Sequence, residues 1–399
     1  MLADLTMLLL GLGVLSSLYW LTVILCVRQV PDRVPSRNTH TPPVSVLKPV
    51  LNDDGQLYAN LRSFCEQDYP SYEILFGVRS PDDPAVAVVE RLIRELPHRE
   101  LSCVVTGAPI GSNRKVSTLE VLGHRARHDI LLVADADMRV GRDYLRAVVA
   151  PLADPSVGLV TCLYRGVPTG GFASTLGAMF INEWFIPGVV VGTRLARLRN
   201  AFGATLVCRR EVLSSIKGFA ALADYLADDY MMGELISRQD LRVVLAPCLV
   251  SNVVVERNLR SLFLHELRWA RTFRTVRPLP YACSVVTHGI PLTCLALAIA
   301  GPTPVTVTAL LANVLLRCTA RMAVSRYLGL PLRWSTTWLV PVRDVLSFAL
   351  WGLSFLGRQV QWGNERFNVD AEGRLHPVAA AGKAAASPQA SARSSARAR

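Results

Sequence analysis

Two aspartates separated by one residue, Asp135-Ala136-Asp137, close the apolar run DILLVADA (129–136). Side chains at i and i+2 of an extended chain point the same way, so both carboxylates would share one face. Mg²⁺ binds proteins through one or two carboxylates and completes its shell with substrate phosphates. The pair therefore suits Mg²⁺ or Mn²⁺ shared with a diphosphate, against the plainer alternative of a solvated acidic turn. Asp82-Asp83, in GVRSPDDPA, again follows a strand-like run; there Asp is also a favoured cap for a helix starting near Pro84. Asp228-Asp229 opens a helical stretch with Glu234 beyond it. Adjacent acids among Leu, Tyr and Met suggest a partly buried carboxylate fit for general-base work, with helix capping as the competing role. His265-Glu266-Leu267-Arg268-Trp269 sits in a basic segment with Arg260, Arg271, Arg274 and Arg277. That segment reads as an amphipathic helix on a membrane surface. Within it, Arg268 has the planar fork that grips phosphate.

The elements that must position these groups are those of an α/β domain. Short β-rich runs, VSVLKP (44–49), YEILFGV (72–78), LSCVV (101–105), DILLVADA (129–136), VGLVTCLY (157–164) and LRVVLAP (241–247), alternate with helical spacing at 84–97 and 117–126. Such alternation predicts βαβ units and a mainly parallel sheet. Ligands gather at the carboxyl ends of strands in such sheets, and the acidic residues fall there.

Around this middle the chain is apolar. It has 399 residues, 51% hydrophobic and only 19% charged, with mean hydropathy +0.31. Residues 5–27 carry no charge, about the length of a membrane-crossing helix. Asp4 precedes them and Arg28, Arg33 and Arg37 follow. That order is the reverse of a secretory signal and predicts a retained anchor with the next domain in the cytoplasm. Apolar runs return at 282–300, 305–316 and 342–356, giving four expected spans, with Gly-Pro-Thr-Pro at 301–304 as a hairpin. Arg343 and Asp344 read as a pair at the start of the last span. The expected layout is an anchor at 1–28, a catalytic domain at 40–277, membrane helices at 280–358 and a disordered basic tail at 378–399. The net charge of +12 belongs to that tail (Lys383, Arg393, Arg397, Arg399) and to the flanks of apolar runs, which points to anionic lipid and not to nucleic acid. Nine cysteines without a CxxC pair exclude a zinc knuckle or disulfide scaffold and fit a reducing compartment.

In this order, an Asp after the second strand, an Asp-x-Asp, a later Asp-Asp and an x-x-x-Arg-Trp beside a span resemble the membrane-anchored, inverting GT-A glycosyltransferases. The likeness is nearest to the ceramide glucosyltransferase family, and within it to the bacterial hopanoid-biosynthesis glycosyltransferases. SVLKPV (45–50), LRSFCEQDYPSYEILFGV (61–78), GSNRKVSTL (111–119), FGATLVCRREVL (202–213) and ADDY (227–230) carry it as well. The resemblance implies a GT-A (Rossmann-like) fold, a UDP-sugar donor, a divalent metal and a membrane lipid acceptor. It implies that Asp82 holds the uracil or ribose, that Lys48 and Lys115 lie near the nucleotide, and that Asp135 and Asp137 bind metal and diphosphate. Asp229 would be the base, and Arg268 with Trp269 would close over the donor. On residue type alone Lys48 and Lys115 read as surface lysines.

His265 stands where the wider family usually has Gln or Arg. The hopanoid-type members resemble this chain in having His there, which favours N-acetylglucosamine transfer to a hopanoid polyol such as bacteriohopanetetrol. It counts against a processive polysaccharide synthase, where Gln is expected; a packing or interfacial histidine is the other reading. A ceramide or other lipid glucosyltransferase using UDP-glucose is the same-class alternative. A binding-only membrane protein would have no reason to keep the acidic set together, and a transporter would need more polar residues at mid-membrane. The expected location is the bacterial inner membrane, multi-pass, with the catalytic domain on the cytoplasmic side.

Overall fold

The computed structural model describes residues 1–28, 40–332, 334–362 and 365–378. Arg33, Arg37 and the basic residues of the tail lie outside them. Eight strands form one sheet: β1 Val44–Pro49, β2 Tyr72–Val78, β3 Glu100–Val105, β4 Ile130–Val133, β5 Met138–Arg139, β6 Val157–Pro168, β7 Leu206–Arg209 and β8 Arg242–Val254, in the order β3-β2-β1-β4-β7-β6-β8-β5. β1 to β4 run parallel, as the alternation predicts. β7 runs antiparallel to both β4 and β6, and β5 antiparallel to β8. The sheet is therefore mixed. Its reversal comes from β7, four residues inside FGATLVCRREVL that carry no strand-like alternation of their own.

Both faces of the sheet are covered, and side-chain alternation sorts residues between them. Val44, Val46, Ile74, Phe76, Ile130 and Leu132 pack on one face with the helices Leu57–Cys65 and Pro84–Glu95. Leu47, Leu75, Leu131 and Val133 pack on the other with the helices Arg114–Arg125 and Asp228–Ser237.

Among the described residues, three helices are long and apolar enough to cross a membrane: Leu2–Arg28, Phe172–Leu195 and Pro304–Leu328. Pro278–Thr287 and Gly289–Ala300 qualify only as one span bent by 64°, so the run 282–300 is broken at His288. The run 342–356 falls on a shorter helix, Leu339–Ser354. Residues 179–191 lie in Phe172–Leu195, where a π-turn at Ile181–Phe185 interrupts the α-helix. Ile181, Phe185, Ile186 and Val190 are buried there, so this segment is packed core. After the last helix, β9 Gln359–Trp362, β10 Glu365–Val369 and β11 Leu375–Pro377 form a small antiparallel sheet that buries Phe367 and Leu375 against Leu226.

Arg343 and Asp344 do not pair at a span entrance. Both are buried and reach different partners. Arg343 grips Glu266 through two bonds, Nη1–Oε1 at 2.8 Å and Nη2–Oε2 at 2.7 Å, and donates to Ser347 Oγ and the Leu176 carbonyl. Asp344 accepts from Arg317 Nε at 3.1 Å, and Arg317 and Arg321 both reach Glu183. Apolar surroundings make an unpaired charge costly, which forces each of these groups onto an opposite charge. Neighbours in sequence on a helix point about 100° apart, so they meet different helices.

Removing one partner should leave the other charge stranded. Glu266→Leu or Arg343→Leu is expected to destabilise the chain by about 3–5 kcal/mol, while the double replacement recovers most of that loss. Thermal unfolding of the purified protein in detergent checks it.

Candidate active site

One cavity of about 700 Å³ opens at the carboxyl ends of the central strands, where β4 stops and the chain crosses to the edge strand β5. The Asp135-Ala136-Asp137 crossing forms its floor. Asp135 Oδ1 lies 2.7 Å from Lys115 Nζ. Asp137 Oδ2 accepts from Asn252 Nδ2 at 2.7 Å, while Asp137 Oδ1 is buried with no hydrogen-bond partner. Burial raises the Asp137 pKa to about 6, with repulsion from Asp135 adding to it and the Asn252 bond opposing.

A buried carboxylate oxygen without a partner beside a second carboxylate is what a divalent cation would satisfy. Among the described residues no third His, Cys, Asp or Glu completes a metal cluster. The hard two-oxygen donor set leaves the remaining positions to phosphate and water, as Mg²⁺ or Mn²⁺ tolerates. Asp135 and Asp137 would hold such an ion.

The lysines are not on the surface. Lys48 is fully buried beneath the floor, its Nζ donating to the Asp135 carbonyl at 2.6 Å and lying 3.8 Å above the Phe64 ring. Burial pushes its ammonium down to about 7, against the pull of Asp135 and Asp137. It is not among the residues lining the cavity, so it supports the floor from below. Lys115, on Arg114–Arg125, does reach the cavity and bridges Asp135 to Asp228 Oδ2 at 3.3 Å. Burial pulls its pKa down, but the three carboxylates around it win and hold it above the ordinary value.

Asp228 and Asp229 lie in the first turn of Asp228–Ser237, whose N-cap is Ala227 with no side-chain cap bond. Neither therefore serves as the cap. Asp229 Oδ2 accepts from the Gly203 N–H at 2.7 Å and Oδ1 from its neighbour Tyr230 N–H at 2.8 Å. Burial, and then repulsion from Asp228, lift its pKa to about 6, with Lys115 opposing.

The helix Leu259–Val276 opens on a capping box, Asn258 with Ser261, and lays His265, Arg268 and Trp269 along the cavity wall. Arg268 lines the same cavity as the aspartates, and burial lowers its pKa from the ordinary value against the attraction of Asp135, Asp137 and Asp229. Trp269 stacks on Phe180 at 5.7 Å. Arg271 and Arg274, in contrast, bind carbonyls at the end of Leu339–Ser354 and the turn after it: Gln359 and Leu356 for the first, Ser354 and Gly357 for the second. They satisfy the carbonyls that a helix end leaves free.

The structure thus gathers Lys115, Asp135, Asp137, Asp229, His265, Arg268 and Trp269 round one space, with Lys48 directly beneath. Asp82 is not brought in. It lies outside the cavity lining, and its neighbour Asp83 caps Pro84–Glu95 and accepts from the Asn52 N–H at 2.8 Å. The sequence pattern also passes over Asn252, Gly203, Arg114 with its partner Glu365 from β10, and the aromatic wall of Tyr164, Phe180 and Phe185. Gly203, Arg114 and Tyr164 fall inside the stretches FGATLVCRREVL, GSNRKVSTL and VGLVTCLY, but nothing in those stretches singles them out.

A Cβ on Gly203 would stand 2.6 Å from Asp135 Oδ2 and 3.3 Å from Lys115 Nζ. Asp135 cannot retreat while Lys115 holds its other oxygen. Gly203→Ala is expected to weaken Mn²⁺ binding by about 10- to 100-fold, the usual cost of disturbing a ligand's support. Titration of free Mn²⁺ by electron paramagnetic resonance, beside an unchanged melting profile, checks this.

Residues 8–375 match glycosyl transferase family 21. The chain is 27% identical over 233 residues to ceramide glucosyltransferase 1 of Caenorhabditis elegans, covering 58% of this chain and 49% of that protein. It is 29% identical over 119 residues to the beta-monoglucosyldiacylglycerol synthase of Synechocystis, covering 29% of this chain and 24% of that one. The chain thus spans about half the length, or less, of the curated relatives it matches. Among solved structures, the mannosyltransferase PcManGT of Pyrobaculum calidifontis, in complex with GDP-Man and Mn²⁺, aligns over 88% of this chain and 99% of its own, with TM-score 0.55 and 21% identity. That likeness carries the fold: the mixed sheet with its strand-end cavity is GT-A. The chain belongs to glycosyl transferase family 21.

Proposed function

We propose that the chain is a membrane lipid glycosyltransferase that moves a sugar from a UDP-sugar to a lipid hydroxyl in one inverting displacement. The observation that carries this is the convergence of Asp135, Asp137, Asp229 and Arg268 on a single cavity, beside helices apolar enough to cross a membrane. Arg268 and Lys115 face the diphosphate and balance charge as it becomes the leaving group. A divalent ion held by Asp135 and Asp137 would add to that stabilisation. Asp229 takes the proton of the incoming hydroxyl. With its ordinary carboxylate pKa lifted by burial to about 6, it is a stronger base than a solvated aspartate yet still ionised at neutral pH. Trp269, stacked on Phe180 in the cavity wall, would close over the donor with Arg268. The chain works at the bacterial inner membrane, facing the cytoplasm.

His265 in the closing motif supports a hopanoid polyol as acceptor and N-acetylglucosamine as sugar. A second reading, UDP-glucose to ceramide or another lipid, is favoured by the names of the curated relatives. Incubating the detergent-solubilised protein with each UDP-sugar and a panel of lipids, with products identified by mass spectrometry, separates the two. Transfer from UDP-N-acetylglucosamine to a hopanoid polyol supports the first, and transfer from UDP-glucose to ceramide the second. Transfer to no lipid sinks both.

Two variants should part chemistry from donor binding. Asp229→Asn is expected to lower kcat by about 10²- to 10⁴-fold with donor Kd nearly unchanged. Asp135→Ala should weaken UDP-sugar binding itself, and EDTA should mimic it until Mg²⁺ or Mn²⁺ is restored. Steady-state kinetics with donor-binding titrations measure both.

The pH profile follows from the same carboxylate. The base must be ionised, so the rate rises with pH and the acid limb marks the Asp229 pKa. At saturating metal, kcat/KM is expected to fall below about pH 6, where an exposed aspartate would hold the rate to about pH 4. Initial rates between pH 4 and 8 test it.

A further inference from the structure

Glu256 lies just past the end of β8 and two residues before the Asn258 cap of Leu259–Val276. Its side chain is 8% exposed, and Oε1 stands 2.7 Å from His265 Nδ1. Against the effect of burial, the hydrogen bond from His265 helps to hold its carboxyl below the ordinary range. An ionised carboxylate can only accept, so Nδ1 carries the hydrogen. In the neutral ring this leaves Nε2 as an acceptor, and among the described residues the Nδ1–Glu256 contact is the one hydrogen bond the ring makes. The imidazole is 37% exposed, lines the cavity beside Arg268, and packs 4.4 Å from the Trp269 ring. Burial and Arg268 outweigh Glu256 and keep its pKa below the ordinary histidine value.

The ligand that suits such a nitrogen follows from what it repels. A lone pair in a cavity disfavours phosphate oxygens, which are served by Lys115 and Arg268. It favours a hydroxyl or N–H. The reacting hydroxyl gives its proton to Asp229, so the histidine is left for a second donor on the same molecule. We propose that Glu256 is a positioning residue that fixes His265 to accept a hydrogen bond from a second hydroxyl or N–H of the acceptor headgroup, so that the pair selects acceptors carrying a donor beside the reacting hydroxyl. This rests on the lipid glycosyltransferase reading above. Aliphatic diols and amido-alcohols fit; a lipid with a lone hydroxyl leaves Nε2 facing nothing.

The test uses the full chain in detergent, UDP-glucose and UDP-N-acetylglucosamine as donors, and two acceptors: dodecanediol with adjacent terminal hydroxyls, and dodecanol. Wild type is expected to prefer the diol roughly three- to tenfold in kcat/KM, the worth of one neutral hydrogen bond, and mainly through acceptor KM. Glu256→Ala and His265→Ala should each erase most of that preference. The double variant should erase no more than either alone, because one residue acts through the other. Glu256→Gln, whose amide oxygen still accepts from Nδ1–H, should keep more of the preference than Glu256→Ala. A role limited to holding the helix would slow both acceptors alike and leave the ratio standing, which would overturn the assignment. So would a ratio of one in the wild type. If Glu256→Ala does not fold, His265→Ala alone and combined with Glu256→Gln gives the same comparison: a further loss of preference in the combination rejects the pair. Failure of the wild type to glycosylate any lipid defeats the underlying function and this inference together, whereas lipid transfer without diol preference defeats only the inference.

Discussion

Four carboxylates, Asp135, Asp137, Asp228 and Asp229, share one cavity with Lys48 beneath them and Lys115 and Arg268 among them. Charges of one sign this close in a low-dielectric space repel strongly, and burial adds to the cost. The fold tolerates them because each has a specific counterweight. Lys115 ties Asp135 to Asp228, Asn252 takes one oxygen of Asp137, and two backbone N–H groups hold Asp229. What stays unpaid is one oxygen of Asp137, and a cation is the ligand that would settle it. Much of the surrounding architecture follows from this constraint. Gly203 has no side chain because Asp135 fills that space, and Lys48 is buried because it holds the crossing from β4 to β5 from below.

The helix bundle enters the same balance from the other side. Leu259–Val276 presents His265, Arg268 and Trp269 to the cavity, and Glu266, between them in sequence, faces away into the grip of Arg343. Arg271 and Arg274 fasten the same helix to the end of Leu339–Ser354. Arg268, the arginine proposed to meet the diphosphate, is thus carried on a helix held by ion pairs and carbonyls of the apolar helices. Catalytic geometry and membrane packing become one problem, which accounts for a soluble-looking sheet and apolar helices in one chain.

The strands and the Asp-x-Asp at the end of β4 are readable because strands covered on both faces read as short continuous apolar runs and because short carboxylate spacing is local. The Asp228-Asp229 turn was readable for the same reason. Groups that act across long separations left no such trace. Asn252 meets Asp137 over 115 residues and Arg343 meets Glu266 over 77. A lone Asn or Glu has no periodicity to betray it. Arg343-Asp344 looked like a pair because adjacency in sequence suggests it, yet a helix turns adjacent residues toward different neighbours. The small sheet β9–β11 escaped notice because its strands are short and largely exposed on one side. For Asp82, strand-end position pointed to the cavity, whereas the local turn gives the structural task to Asp83.

In the proposed mechanism a lipid hydroxyl attacks the sugar directly while Asp229 takes its proton, with no covalent intermediate on the protein. UDP-glucose and UDP-N-acetylglucosamine carry their sugars in the α configuration, so the stereochemistry of the lipid product reports the number of displacements. The most direct measurement is the anomeric proton coupling in the nuclear magnetic resonance spectrum of the purified glycolipid. One displacement predicts a β-linked product; an α-linked sugar on the lipid would contradict the mechanism assigned to this cavity.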